Sequence, residues 1–124
     1  DVIQADAGTR TASITGAWIA LSMGVQRLLR NAALARNPIK YQVAAISVGL
    51  VEGSPLLDLD YSEDSIADVD LNVVMDSEGN FLEIQGTAEK SSFTRHQLND
   101  LLDLSQKGLE KLHLDQISAL RKQG

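Results

Sequence analysis

A strand that runs directly into a long helix is predicted by residues 2–14, VIQADAGTRTASI. The apolar start of this stretch indicates a short strand over 2–6, and Gly8 marks the turn into a helix over 10–34. A helix N-terminus presents unpaired backbone N–H groups and the positive end of the helix dipole, so it attracts anions. Arg10 would add a planar group of donors that matches a phosphate. The anion site expected here consists of Gly8, Thr9, Arg10 and Ser13.

Acidic residues later in the sequence favour a functional interpretation of the turn at Gly8. They are Asp58, Asp60, Glu63, Asp64, Asp68 and Asp70. Side chains alternate along a strand, so Asp68, Asp70 and Asn72 would share one face of a strand predicted at 68–73. Asp64 lies in the preceding turn and could fold back toward that face. An anion pocket beside carboxylates suggests phosphate chemistry assisted by a cation.

The chemistry of neighbouring carboxylates makes Asp64 and Asp70 candidate catalytic residues and candidate metal ligands. Such groups bind Mg²⁺ through a few oxygens plus water, and one member of a crowded pair can hold a proton and act as an acid. Both sites also have a purely structural interpretation. Thr9 would cap the helix with Arg10 solvated, and the acidic strand would be a solvent-facing edge that discourages strand pairing.

Composition narrows the class of protein. With 124 residues and 44% hydrophobic content, the chain is long enough for one domain with a core. A net charge of −6 argues against general electrostatic binding of RNA or DNA by this chain alone. The chain has no cysteine, which fits a reducing cytoplasm, and no run of about 18 apolar residues to span a membrane. Its strand-like first residues are typical of a chain entered part-way through a fold.

Hydrophobic spacing predicts the other elements. Helical spacing relates Ile14, Trp18, Leu21, Val25, Leu28, Leu29 and Ala32, and Asn37-Pro38 would end that helix. Strands are predicted at 41–51, which reads as buried on both faces, and at 56–61, 68–73 and 81–87. A capping box at Thr94–Gln97, with Phe93 and Leu98 as a hydrophobic staple, would start a last helix. The order strand, helix, four strands, helix indicates the α+β class.

The remaining polar candidates have mainly structural interpretations. His96 and His113 lie far apart on the predicted last helix, so core or surface roles are expected for both. The basic residues Arg27, Arg30, Arg36 and Lys40 gather near the end of the first helix, where they would complement its dipole. A patch that contacts an RNA backbone is the alternative for this group.

Four segments resemble bacterial RNase PH: residues 4–17 (QADAGTRTASITGA), 57–65 (LDLDYSEDS), 70–75 (DLNVVM) and 83–89 (EIQGTAE). The likeness extends from Asp1 to about Leu114. It implies an RNase PH-like α+β fold, with a mixed sheet packed with helices, and a single domain over 1–124. That domain would be the C-terminal half of the family fold, without the N-terminal half. The implied function is phosphorolytic 3′→5′ exoribonuclease activity, which trims tRNA precursors with inorganic phosphate and releases nucleoside diphosphates.

The resemblance also implies roles for individual residues. Gly8, Thr9 and Arg10 match the phosphate-binding residues of the family, and Asp64 and Asp70 match its catalytic acidic pair, which is associated with Mg²⁺. The implied partners are RNA, at tRNA 3′ ends, and further copies of the chain in a hexameric ring of dimers. No membrane or DNA partner is implied, and the expected location is the cytoplasm.

Two departures from the family pattern bear on these expectations. Ala7 stands where the family usually has a second Gly, which would cost about 1–2 kcal/mol if the backbone there were left-handed. The N-terminal half of the family fold normally supplies another phosphate-contacting Arg and a basic RNA-binding surface. Two other functions therefore stay open. One is a truncated, non-catalytic interaction module that self-associates or pairs with a full-length family member, and the other is an unrelated domain that binds a phosphorylated ligand at Gly8–Arg10.

Overall fold

Two helices and four strands make up the part of the chain that the computed structural model describes, residues 7–57 and 67–123. The elements are α1 (Ala7–Arg30), β1 (Val43–Val51), β2 (Ser54–Leu57), β3 (Val69–Asp76), β4 (Phe81–Ala88) and α2 (Arg95–Gln123). The predicted α+β class is confirmed. The strand predicted over 2–6 lies outside the described residues.

The strands form one sheet in the order β2-β1-β3-β4, and each neighbouring pair is antiparallel. The expected mixed sheet therefore has only antiparallel pairings among its described strands. β3 is an interior strand with partners on both sides. The interpretation of the Asp68–Asp70 segment as an edge that discourages pairing is wrong, because Asp70 pairs with both Gly49 and Thr87.

Alternation along the paired strands gives the sheet two unlike faces. On the face that we term the core face, Val48 of β1 lies opposite Leu71 of β3, and both are buried. On the other face, which we term the polar face, Ser47 lies opposite Asn72, and Gln85 follows on β4. The polar face also carries Asp70, Thr87 and Glu83, as the register shows. The predicted period-two pattern of Asp70 and Asn72 is confirmed.

Helix α2 covers the core face. Its side chains Leu101 and Leu109 are almost fully buried in one cluster with apolar residues of β1 and β3. Gly108 allows the close approach, because a Cβ atom at that position would overlap the side chain of Ile46. β1 is buried along its whole central length, as its continuous apolar run predicts.

The two helix ends that the sequence predicts differ in outcome. The capping box at the start of α2 is confirmed: the Thr94 N–H donates to Gln97 Oε1 over 2.9 Å, and the Gln97 N–H donates to Thr94 Oγ1 over 3.0 Å. The prediction that the first helix ends at residue 34 is wrong. The helix ends at Arg30, and Ala32 takes a left-handed conformation with φ of 59°. The Ala33 N–H reaches back to Leu28 O, as in a Schellman motif.

The apolar stripe predicted for α1 is only partly correct. Val25 is buried with 6% of its surface exposed, whereas Leu21 is 58% exposed and Leu28 is 44% exposed. Within residues 7–57 and 67–123, neither helix is long and apolar enough to cross a membrane.

Candidate functional site

The residues predicted to form an anion site lie in the first two turns of α1. The helix begins at Ala7, so Gly8, Thr9 and Arg10 contribute backbone N–H groups to its first turn, where the helix dipole is positive. Thr9 is thus inside the helix, and its interpretation as the N-cap is wrong. Ala7 is helical rather than left-handed, so the strain considered for this departure from the family pattern does not arise there.

Arg10 is anchored to the polar face by an ion pair with Glu83 of β4. The guanidinium Nη2 donates to Glu83 Oε2 over 2.7 Å and to Oε1 over 2.9 Å. Both side chains are partly exposed, 43% for Arg10 and 38% for Glu83. Glu83 is also the one residue of β4 that is half-buried rather than exposed. The start of α1 therefore lies over the outer strand of the sheet, with its cation held by a carboxylate.

A chain of hydroxyl and amide groups connects the first turns of α1 to the centre of the polar face. Thr11 Oγ1 and Ser47 Oγ are 3.2 Å apart, and Ser47 Oγ donates to Asn72 Oδ1 over 3.0 Å. Thr11 and Ser47 are buried. Asn72 is two residues from Asp70 on the same face of β3, a separation of about 7 Å along a strand. Arg10 and Asp70 therefore lie over the same face of the sheet.

The acidic part of the predicted site is described only in part. Asp70 is half-buried on the polar face of β3, and Asp68 directly precedes that strand. Asp64, together with Asp58, Asp60 and Glu63, lies outside the described residues. No group of three or more His, Cys, Asp or Glu side chains that suits a metal ion occurs within 7–57 and 67–123. Mg²⁺ binding by Asp64 and Asp70 stays a prediction.

A second polar arrangement, which sequence reasoning missed, lies along the edge of β1 beside Ala45. β2 pairs only with Val48–Val51, so no strand within residues 7–57 and 67–123 covers the first half of this edge. Thr15 Oγ1 accepts from the Ala45 N–H over 3.0 Å and donates to Ala45 O over 3.1 Å. A helix side chain therefore satisfies both backbone groups of Ala45.

Gln116 completes this arrangement from α2. Its Nε2 donates to Thr15 O over 3.2 Å and to Val43 O over 2.9 Å, and its Oε1 accepts from Gln42 Nε2 over 2.8 Å. Gln116 is 1% exposed. It occupies an apolar-stripe position of α2, between Leu109 and Leu120, and a polar residue at such a position was the available signal. This amide joins α1, β1 and α2 and fixes α1 against the sheet.

The histidines and two residues of the basic group have the structural settings expected. The His96 side chain is 86% exposed and lies 3.6 Å from an Asp100 carboxylate oxygen. His113 Nδ1 lies 3.2 Å from Gln116 Oε1, which can only accept, so His113 joins the network just described. Arg27 and Arg30 lie in the last turn of α1, where cations complement the helix dipole.

Known proteins resemble this chain in sequence and in fold. Residues 41–108 match the model of the 3′ exoribonuclease family, domain 2. Ribonuclease PH of Prochlorococcus marinus (strain MIT 9313) is 67% identical over 123 residues, which cover 99% of this chain and 50% of that protein. Ribonuclease PH of Corynebacterium glutamicum (strain R) is 56% identical over 120 residues, 97% of this chain and 49% of that protein. The chain spans about half the length of these curated relatives.

Two solved structures share the fold. An archaeal exosome core superposes with a TM-score of 0.57 at 21% identity, over 64% of this chain and 32% of that one. The Archaeoglobus fulgidus exosome with RNA bound to the active site gives a TM-score of 0.56 at 20% identity, over 69% of this chain and 35% of that one. At this level of identity the likeness establishes the fold alone.

Proposed function

This chain belongs to the 3′ exoribonuclease family, as its domain 2, and we propose that it carries the phosphate-binding and acidic groups of a phosphorolytic ribonuclease of the ribonuclease PH type. The observation that supports this most directly is the position of Arg10 and Asp70 over one polar face, where hydrogen bonds through Thr11, Ser47 and Asn72 join the start of α1 to β3. Membership of the family excludes the unrelated phosphate-binding domain considered above.

The proposed reaction is the attack of inorganic phosphate on the last phosphodiester of an RNA 3′ end. A bond forms between a phosphate oxygen and the phosphorus, the bond from phosphorus to the 3′ oxygen breaks, and the terminal nucleotide leaves as a nucleoside diphosphate. Arg10 and the backbone N–H groups of Gly8 and Thr9 would hold the attacking anion, with Ser13 one turn further along α1. Positioning and electrostatic stabilisation would provide most of the rate enhancement.

The leaving 3′ oxygen needs a proton or a countercharge. We propose that Asp70 and Asp64 provide it. One member of a carboxylate pair can retain a proton and donate it. The Asp70 carboxylate, with Ser47 and Asn72 beside it on the polar face, is an oxygen-bearing environment of the kind that Mg²⁺ prefers. We propose that Asp64 and Asp70 hold Mg²⁺, which when bound would offset negative charge on the reacting phosphate.

RNA, at tRNA 3′ ends, is the proposed substrate, and a homo-oligomer in the cytoplasm is the proposed setting. With a net charge of −6 over its 124 residues, the chain is a poor electrostatic partner for RNA by itself. A basic surface would have to come from other protein segments or from neighbouring subunits, and a hexameric ring of dimers would provide such neighbours. The structural relatives are exosome cores, one of them with RNA bound to its active site.

A phosphorolysis assay tests the proposal. The protein is incubated with a short 3′-tailed tRNA, Mg²⁺ and inorganic phosphate, and nucleoside diphosphates are measured. We expect Arg10→Ala to lower phosphate-dependent shortening at least about 100-fold, because a charged donor to the attacking anion is lost. Arg121→Ala removes an exposed cation from the last turn of α2 and should leave the rate unchanged. Full activity of Arg10→Ala would contradict the proposed role.

The second candidate function is a non-catalytic module that self-associates or pairs with a full-length family member. Exposed large apolar side chains favour it, notably Leu82 at 59% and Leu114 at 71% exposure. Size-exclusion chromatography with multi-angle light scattering tests this function on the chain alone and after mixing with full-length ribonuclease PH. A monomer that binds no partner would argue against it, and diphosphate release by the chain would favour the enzyme.

A further inference from the structure

The ion pair at Arg10 uses the guanidinium in an unusual way. Both carboxylate oxygens of Glu83 accept from the same nitrogen, Nη2. A guanidinium offers two edges with paired donors, the edge formed by Nη1 and Nη2 and the edge formed by Nε and Nη2. Each of these edges includes Nη2. An oxyanion that binds either edge must therefore share Nη2 with Glu83 and lie close to its negative charge.

We propose that Glu83 is an internal competitor of phosphate at Arg10. In the absence of phosphate its carboxylate occupies Nη2 of the guanidinium, and inorganic phosphate competes with it for the hydrogen bonds and the charge of that group. This inference rests on the proposed phosphate site at the start of α1. According to this inference, Glu83 determines how tightly phosphate binds at that site.

The exposure of the pair makes such an exchange feasible. With 43% of the Arg10 side chain and 38% of the Glu83 side chain exposed, water screens their attraction. Exposed pairs of this kind change an equilibrium constant by about twofold to fivefold. Phosphate carries more negative charge than a carboxylate and can also use the backbone N–H groups of the helix start. Glu83 therefore lowers phosphate affinity without closing the site.

The fold keeps Glu83 in position for this role. It lies opposite Val74 on the polar face of β4, next to the bulge between Val74 and Met75. The contact between residues 73 positions apart depends on β4 being the outer strand beneath the start of α1. When the carboxylate is displaced it can turn toward solvent, because the neighbouring residues of β4 are exposed.

Isothermal titration of inorganic phosphate into the chain tests the proposal. Glu83→Gln keeps the shape of the side chain and removes its charge, and we expect phosphate to bind about threefold tighter, in line with the strength of exposed pairs. Glu83→Asp keeps the charge on a shorter side chain and should give a phosphate affinity between those of the wild type and Glu83→Gln. Glu110→Gln, an exposed acid on α2, makes the same change in net charge and should bind phosphate like the wild type.

Arg10→Ala separates failure of this inference from failure of the proposed function. If Arg10→Ala loses phosphate binding and Glu83→Gln binds no tighter than the wild type, the competition is overturned and the phosphate site stands. If Arg10→Ala binds phosphate as the wild type does, or if no variant binds it, the phosphate site itself fails and the competition fails with it. Equal tightening in Glu83→Gln and Glu110→Gln would reduce the effect to net charge and overturn the role of Glu83.

Discussion

The two faces of the sheet are built from the same strands but are covered by different means. Helix α2 buries Leu101 and Leu109 against the core face, so its attachment is mainly hydrophobic. Helix α1 is attached through hydroxyls and an ion pair, at Thr11, Thr15 and Arg10, and leaves Leu21 exposed. The difference indicates that the core face stabilises the domain and that the polar face places charged groups.

The largest effect is expected for a substitution on the polar face, which should abolish most of the activity and leave folding intact. Asp70→Asn should lower phosphate-dependent RNA shortening by about 10²–10⁴-fold, the range typical of lost acid–base groups. The melting temperature should change little, because the substitution retains the shape of a half-buried side chain. Asp103→Asn on α2, an exposed position, is the matched control. Wild-type activity in Asp70→Asn would place the acid elsewhere.

A substitution on the core face should have the opposite effect and lower stability. Leu101→Ala removes a fully buried side chain and should lower the free energy of unfolding by about 2–5 kcal/mol, since it leaves a cavity under α2. Urea denaturation monitored by circular dichroism measures this loss. Leu82→Ala on β4, where 59% of the side chain is exposed, should stay within about 0.5 kcal/mol of the wild type. Equal losses in the two variants would mean that α2 does not bury the core as described.

A smaller effect is expected where the two helices meet. Gln116→Ala removes the amide that donates to Val43 O and to Thr15 O, and we expect a loss of about 1–3 kcal/mol in the free energy of unfolding. Hydrogen exchange at the edge of β1 beside Ala45 should rise in the same variant. Gln106→Ala, at an exposed position of α2, provides the comparison. Unchanged exchange would show that Thr15 alone secures that edge.

The smallest effect is expected at the capping box of α2, which belongs to neither face of the sheet. Thr94→Ala removes the capping hydroxyl that accepts from the Gln97 N–H and should cost about 1 kcal/mol. Thr94→Ser retains the hydroxyl and should lose little. If the two variants unfolded alike, the capping box would contribute nothing measurable to α2.

Sequence reasoning was most successful where its signals are local. The strand with Asp70 and Asn72 on one face follows from a pattern within a few residues, whereas the helix predicted to start at residue 10 after a turn at Gly8 begins at Ala7. The partner of Arg10 could not be predicted in this way. Glu83 lies within a segment that resembles the family, yet its approach to Arg10 depends on sheet order and on where α1 lies.

The sequence by itself determined the α+β class, the family, the capping box of α2 and the alternation that puts Asp70 and Asn72 together, because each depends on neighbours along the chain or on extended motifs. Only the tertiary structure decided that Glu83 holds Arg10 and that Gln116 donates to Thr15, contacts that join residues 73 and 101 positions apart. Such contacts arise from strand register and helix placement, which the packing of the whole core fixes at once. The exposed leucines of α1 have the same origin, since helical spacing predicts which residues share a stripe and packing determines whether anything covers it.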